Sequence, residues 1–417
     1  MPRTLDVYLH RHLIGKLVQN DHGHMVFDYV ESWLTNPTAI PLSQSLPLTK
    51  RHFTRNDCRG FFAGLLPDES KREIIARNLG ISASNDFAML ERIGGECAGA
   101  VTFIPEGTSL PELDNAYRPL SPPELADIIK KLPRRPLLAG EEGIRLSLAG
   151  AQDKIAVHVS GGQISLPLKG APSTHILKPA IERFEGVVFN EALCMRLAQA
   201  VGLNTAAVEI GRVEGLDYLL VQRYDRALNP GSPLGPQREH QEDFCQALGI
   251  VPEHKYQNEG GPSIKQSFEL VRAASSTPVI DLQALLDAVI FNWLIGNHDA
   301  HGKNFSLVYR GEISTGLQTR LAPLYDLIST VCYPELSPKM AMKLGGEYLS
   351  ELIAPANFER LAQEAGLAKP MMKRRVLELA EAVVSKLPMV TTGHSVTAAV
   401  ANVIQSRCER KIKSFTP

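Results

Sequence analysis

Nine residues, Asn297 to Phe305, read N-H-D-A-H-G-K-N-F. Asp299 stands five residues before Asn304, and a further aspartate, Asp326 in P-L-Y-D, follows a hairpin-like segment. An aspartate, four residues, an asparagine and a distant aspartate is the order used by phosphoryl-transfer enzymes. The first aspartate positions the attacking hydroxyl and accepts its proton. The asparagine and second aspartate hold magnesium ions against the ATP phosphates. Two other readings compete. The run could be a capped turn rich in turn formers. It could also be a metal-hydrolase site with His298, Asp299 and His301 as ligands. That site needs further histidines, the remaining ones form no H-x-x-x-H pair on a helix, and it gives Asn304 no task.

A second constellation lies upstream. Ser147 to Lys154, S-L-A-G-A-Q-D-K, is small and polar and leads into a strand-like run. Small residues let backbone N–H groups approach phosphate oxygens. By itself this segment reads equally as an ordinary β-turn. Lys178 ends the next strand, where it could contact phosphates, and Glu191 on the following helix could orient it or could be one of a solvated pair. The strand end V-Q-R-Y-D-R brings Gln222, Arg223 and Tyr224 to a hinge, where backbone and a flat ring could hold adenine.

These residues need elements to hold them. Leu5–Leu9 and Met25–Tyr29 read as strands, the second entered through the polar turn Q-N-D-H-G-H. Asp68–Leu79 reads as a helix ended by Gly80, and Phe87–Ile93 as another. Proline-rich segments at 119–123 and 133–136 mark a break. Strand, turn and strand follow at Ile155–Val159 and Ile164–Leu166, then an edge-like strand, T-H-I-L-K-P. Asn190 is placed to cap a helix running to Val201, and strands Ala207–Val213 and Tyr218–Tyr224 flank Glu214-Gly215. From Asp225 the pattern turns helical. Asp281–Ile295 is apolar over most of its circumference, which predicts a buried central helix capped by Asp281. Amphipathic helices follow at Asn357–Gly366, Met371–Ser385 and Val396–Lys413. The pattern predicts two lobes with a hinge at Asp225–Gln237, and a nucleotide site between lobes is a common solution.

Composition narrows the class. A chain of 417 residues with 44% apolar content supports two lobes with full cores. A net charge of -1 gives no reason to expect a nucleic-acid-binding surface, although net charge leaves room for a local basic patch. Six cysteines without a C-x-x-C pair suit reduced thiols in a cytoplasm, and no apolar run has the length of a membrane span.

Taken together, S-L-A-G-A-Q-D-K, T-H-I-L-K-P, N-E-A-L-C-M-R-L-A, V-Q-R-Y-D-R, Q-E-D-F-C-Q-A-L-G, G-G-P-S-I, N-H-D-A-H-G-K-N-F-S and L-Y-D-L-I-S resemble the HipA-type serine/threonine kinases, the toxin half of HipA–HipB toxin–antitoxin pairs. The resemblance spans nearly the whole length. It implies an α+β, bilobal, kinase-like fold: an N-terminal α/β subdomain (1–135), a β-rich ATP-binding part (136–226) and an all-helical catalytic C-terminal lobe (227–417). It implies Asp299 as catalytic base, Asn304 and Asp326 as magnesium ligands, and Ala149, Gly150, Ala151, Gln152, Asp153 and Lys154 as the phosphate loop. Lys178 would bind phosphate. Gln222, Arg223 and Tyr224 would line the adenine pocket, and His301, Gly302, Lys303 and Tyr325 would border the nucleotide. Ser147 matches the family's autophosphorylated serine. The cofactors would be ATP and Mg2+. The partners would be a HipB-like helix-turn-helix antitoxin, operator DNA reached mainly through it, and a protein substrate of the aminoacyl-tRNA synthetase class, notably the glutamyl enzyme.

The chain departs from the family in two places. The hinge reads Q-R-Y where a family relative has E-R-F, and the stretch from Lys178 to Asn190 is short, which bears on substrate choice. Two alternatives stay open: a small-molecule phosphotransferase resembling aminoglycoside or choline kinases, and a kinase-like corepressor subunit without catalysis.

Overall fold

The computed structural model describes residues 3–21, 23–113, 116–227, 236–311 and 316–416. It divides into two compact units that are discontinuous in sequence. Unit 1 comprises Met1–Pro179, Gly211–Glu253 and Val308–Thr319; unit 2 comprises Ala180–Ile210, His254–Leu307 and Arg320–Pro417. Of the hinge expected at Asp225–Gln237, residues 228–235 lie outside the described residues, as does His22 of the first polar turn.

Unit 1 opens with an antiparallel sheet of β1 (Arg3–Leu9), β2 (His12–Gln19), β3 (Met25–Tyr29), β4 (His52–Phe53) and β5 (Val101–Pro105), ordered β4-β3-β2-β1-β5. Strand β2 has no counterpart in the sequence reading, where Gly15 interrupts its apolar run. The glycine is required there, since a Cβ would lie 2.4 Å from the Phe27 ring. Helices α1 (Glu31–Leu34), α2 (Arg55–Gly64), α3 (Glu69–Leu79) and α4 (Asp86–Ile93) accompany the sheet. Gly80 ends α3 as a left-handed C-cap, as the pattern predicts, and Asp68, read as the first helical residue, is its N-cap. Phe27, Phe53, Phe62 and Phe103 are buried in one apolar cluster.

The second sheet of unit 1 is ordered β10-β11-β9-β7-β8-β6. Its strands are β6 (Tyr117–Pro119), β7 (Ile155–Ser160), β8 (Gln163–Pro167), β9 (His175–Pro179), β10 (Val208–Val213) and β11 (Leu216–Gln222). T-H-I-L-K-P is therefore not an edge strand. Strand β9 pairs with both β7 and β11, and the proline that suggested an edge only closes it. Glu214 and Gly215, both at positive φ, turn β10 into β11. Helix α5 (Pro122–Lys131), strands β12 (Arg226–Ala227), β13 (Gln237–Arg238) and β14 (His240–Asp243), and helix α7 (Phe244–Ala247) complete the unit.

Unit 2 is mainly helical: α6 (Val187–Ala200), α8 (Ile264–Ala274), α9 (Pro278–Ile295), α10 (Pro355–Ala365), α11 (Lys369–Val390) and α12 (Ser395–Phe415). Helix α9 is long and apolar enough to cross a membrane, yet 72% of its window is buried inside the protein. Trp293 within it stacks edge-on to Phe358 of α10 and donates to Ser350 O at 3.1 Å. The helix begins at Pro278, so Asp281 is not its cap. Instead Asp281 is buried in the first turn, accepting from Arg320 and from Leu321 N. Asn190 likewise lies inside α6, whose N-cap is Gly186. The C-terminal part is not all-helical: the hairpin β17 (Lys339–Leu344) and β18 (Glu347–Leu349) follows β15 (Ser306–Arg310) and β16 (Gln318–Leu321).

Candidate active site

In unit 2, α9 delivers the Asp299 loop. Gly296 ends the helix at φ 72, where a Cβ would lie 2.6 Å from Val331. Asn297 is buried; its side chain donates to Asn292 Oδ1 at 2.7 Å and accepts from Asp299 N at 3.2 Å. His298 is held from three sides. Its N–H donates to Thr330 Oγ1 at 2.8 Å, its carbonyl accepts from Ala341 N at 2.8 Å, and Nδ1 donates to Ser337 O at 3.2 Å. Its Nε2 is buried without a hydrogen-bond partner among the described residues, and burial lowers its pKa.

Asp299 itself is exposed. Its Oδ1 accepts from the Tyr256 hydroxyl at 2.7 Å. Next come His301, Gly302 and Lys303, all buried, in a short 3-10 turn closed by Asn304. Asn304 Oδ1 accepts from His301 N at 3.1 Å, and its Nδ2 lies 3.5 Å from Asp326 Oδ2. The structure thus brings Asn304 and Asp326 together across 22 residues of chain. Asp326 adopts φ 53, a left-handed conformation that a non-glycine residue rarely takes and that is common at functional sites. Tyr325 beside it bonds Ser306 Oγ at 2.6 Å and donates to Lys303 O at 2.8 Å. Asn190 clamps the chain just beyond, donating to Ser329 O and accepting from Ser329 N, both at 3.0 Å.

Carboxylate and amide oxygens suit a hard cation such as Mg2+, which needs few protein ligands when phosphates and water supply the rest. Asp326 supplies such a carboxylate, and the Asn304 amide, whose oxygen accepts from His301 N, would have to turn to present that oxygen to an ion. Among the described residues no group of three His, Cys, Asp or Glu could hold a metal, so His298, Asp299 and His301 do not form the hydrolase site.

In unit 1, Ser147 is fully buried. Its Oγ donates to Leu65 O at 2.8 Å and its N to Glu96 O at 2.9 Å. Gly150 takes φ 101, which lets the following segment turn back. Lys154 Nζ then donates to Ala149 O at 2.7 Å, and Asp153 pairs with Lys71 at 2.6 Å. Ala151 and Gln152 lie between, half-buried. Lys178 is buried on β9, in register with Leu219. Glu191 is buried in unit 2. At the hinge, Gln222 is half-buried and the Tyr224 hydroxyl bonds Gln241 Oε1.

The Arg223 side chain is committed elsewhere. It turns inward and donates to Asp225, Glu96, Ser173 Oγ and Cys97 O. Arg226 and Arg238 also reach Glu96. Burial opposes the Glu96 charge, but Arg226, Arg238 and Arg223 outweigh it and hold the carboxyl below its usual range. The sequence reading missed this cluster and Tyr256. Glu96 and Arg223 are 127 residues apart, and a lone tyrosine carries no periodic signal.

A family model for the HipA-like C-terminal domain matches residues 146–387, and one for the HipA N-terminal domain matches residues 5–104. Y4mE of Sinorhizobium fredii, a kinase by name, is 46% identical over 99% of this chain and 94% of its own. The serine/threonine-protein kinase toxin HipA of Shewanella oneidensis is 30% identical over 98% of this chain and 95% of its own. A solved Shewanella oneidensis MR-1 complex of HipA, HipB and operator DNA holds a chain that superposes with a TM-score of 0.85 at 28% identity, covering 99% of this chain and 98% of that one.

Proposed function

The chain belongs to the HipA family of serine/threonine kinase toxins, and on that premise we propose that it transfers the γ-phosphate of ATP to a protein hydroxyl, with Asp299 as base. The observation that carries this reading is the convergence of Asn304 with Asp326 beside a rigidly delivered, exposed Asp299. Bound Mg2+, held by Asn304 and Asp326, would neutralise charge on the phosphates. Asp299 accepts the hydroxyl proton as that oxygen bonds to phosphorus and ADP leaves. Ala149 to Lys154 and Lys178 bind phosphates. The backbone of Gln222 to Tyr224 holds adenine, and His301, Gly302, Lys303 and Tyr325 border the nucleotide. Mass spectrometry after incubation with ATP and Mg2+ tests this. Phosphoserine should form with the wild type and about 10³-fold more slowly with Asp299→Asn. Phosphorylation only of added small alcohols or aminoglycosides would sink it.

The finer assignments rest on the same premise. The chain is the toxin of a pair whose antitoxin is a HipB-like helix-turn-helix protein, and it serves as corepressor by reaching operator DNA through that partner. A relative of known structure, HipA of Shewanella oneidensis, is found in a complex with HipB and operator DNA. Its target is of the aminoacyl-tRNA synthetase class, in the cytoplasm. Ser147 is its autophosphorylation site. Because Ser147 is wholly buried, a phosphate there requires the 147–154 loop to leave its seat against Leu65. The added charge, about −1.5 to −2, then repels ATP. Ser147-phosphorylated protein should bind ATP more weakly than the unmodified protein, and equal affinity would refute the switch.

A further inference from the structure

Asp299 is exposed, so its carboxylate needs no protein partner to offset burial. It has one nonetheless, the Tyr256 hydroxyl at 2.7 Å from Oδ1, while Oδ2 has no hydrogen-bond partner among the described residues. The phenol is itself tightly placed. Tyr256 O accepts from Glu259 N at 3.0 Å and from Gly261 N at 2.8 Å, closing a compact turn. That turn leaves no room for a side chain at Gly261, where a Cβ would lie 2.5 Å from His254 O. Gln257 Oε1 accepts from Lys343 N at 2.7 Å, which ties the turn to β17. The Tyr256 ring stands edge-on to His301 with centroids 5.3 Å apart, and Lys255 Nζ lies 5.4 Å from its centre.

We propose that Tyr256 is a positioning residue for Asp299. Its hydroxyl donates to Oδ1 and fixes the rotation of an otherwise free carboxylate. Oδ2 is thereby turned outward to receive the proton of the incoming hydroxyl. A base that must be met within hydrogen-bond reach gains from such fixation, because misorientation lowers the fraction of productive encounters. The proposal rests on the kinase reading and adds a residue to it. The turn that carries Tyr256 thereby becomes part of the site's supporting structure.

The test uses the full-length protein with radiolabelled ATP, following transfer to itself and to dephosphorylated casein. Tyr256→Phe should lower kcat about tenfold with little change in the KM for ATP. In an Asp299→Asn background the same substitution should cost nothing further. A merely structural role would cost the same in both backgrounds and would overturn the proposal. So would an unchanged or raised kcat, the latter showing that the phenol occupies the place of the substrate hydroxyl. Tyrosine labelled with 13C at Cζ gives a second measurement. The Tyr256 signal should move in Asp299→Asn, and an unmoved signal refutes the contact. If the wild type transfers no phosphate, the kinase reading falls and the positioning role falls with it. If it does and Tyr256→Phe is unchanged, only the positioning role falls.

Discussion

Glu96 in unit 1 and Asp299 in unit 2 are carboxylates in opposite circumstances. Glu96 is completely buried and three arginines reach it. Asp299 is exposed and accepts from a single phenol. Asp225 beside Glu96 is also buried, with Arg223, Arg226 and the Gly99 N–H around it. Buried charge survives only when paired, so the charges in that cluster are spent on one another, although Arg226 Nε has no hydrogen-bond partner among the described residues. Among the described residues, Asp299 keeps Oδ2 without a hydrogen-bond partner, as the proposed base requires. The cluster therefore fixes the fold of unit 1, and the loop is the part proposed to do the chemistry.

Breaking the cluster should show this most strongly. Glu96→Gln keeps the shape and leaves Arg223, Arg226 and Arg238 with one carboxylate among them. Urea denaturation should report a loss of about 3–5 kcal/mol. A small loss would mean that the arginines find other partners, and the contrast with Asp299 would weaken. Asp299→Asn should do the reverse. Phosphoryl transfer should fall about 10³-fold or more, roughly 4 kcal/mol in barrier, while the urea midpoint stays within error of wild type. A stability loss there would make the loop structural after all.

Parts of this contrast were legible in the sequence. The C-cap of α3, the Glu214-Gly215 turn and the buried character of α9 follow from local spacing, which local geometry obeys. The Asp299, Asn304 and Asp326 pattern was visible because phosphoryl transfer demands those groups in that order. Polar residues in helices misled: Asp281 and Asn190 resemble caps in sequence, yet each is buried and bonded to a distant segment. The arginine cluster was invisible because its partners come from distant stretches of chain, and only the fold brings them together. Tyr256 was invisible for the same reason.

A second buried site in unit 1 sharpens the comparison through pH. Glu242 accepts from Gln44 N at 3.0 Å and from the Ser43 and Tyr309 hydroxyls, and no cation lies beside it among the described residues. Burial raises it from 4.5 to about 7 against those hydrogen bonds. The folded protein then holds this proton more tightly than the unfolded chain, so its contribution is whole below pH 4.5 and lost up to pH 7. His240 runs the other way. Burial lowers it from 6.5 to about 4, so its contribution is whole above pH 6.5 and lost as pH falls to 4. The two slopes oppose each other between pH 4.5 and 6.5. Glu242→Gln removes one of them. Its stability should therefore gain on wild type by about 2–3 kcal/mol as pH rises across that window. Parallel profiles would show that Glu242 titrates normally.

The smallest expected effect is at Gly150, in the loop of unit 1 proposed to cradle phosphate. Its φ of 101 lies where a side chain strains the backbone, and a Cβ would lie 2.7 Å from Lys154 Nζ. The amine ends a flexible chain and can move aside, so the clash costs little. The backbone strain remains, and Gly150→Ala should cost about 1–2 kcal/mol. Moving Lys154 also breaks its bond to Ala149 O, which closes the loop. If this loop cradles phosphate, ATP affinity measured by calorimetry should fall along with stability. An ATP affinity that stays constant while stability drops would reduce the segment to an ordinary turn. The exposed chemistry would then belong to unit 2 alone.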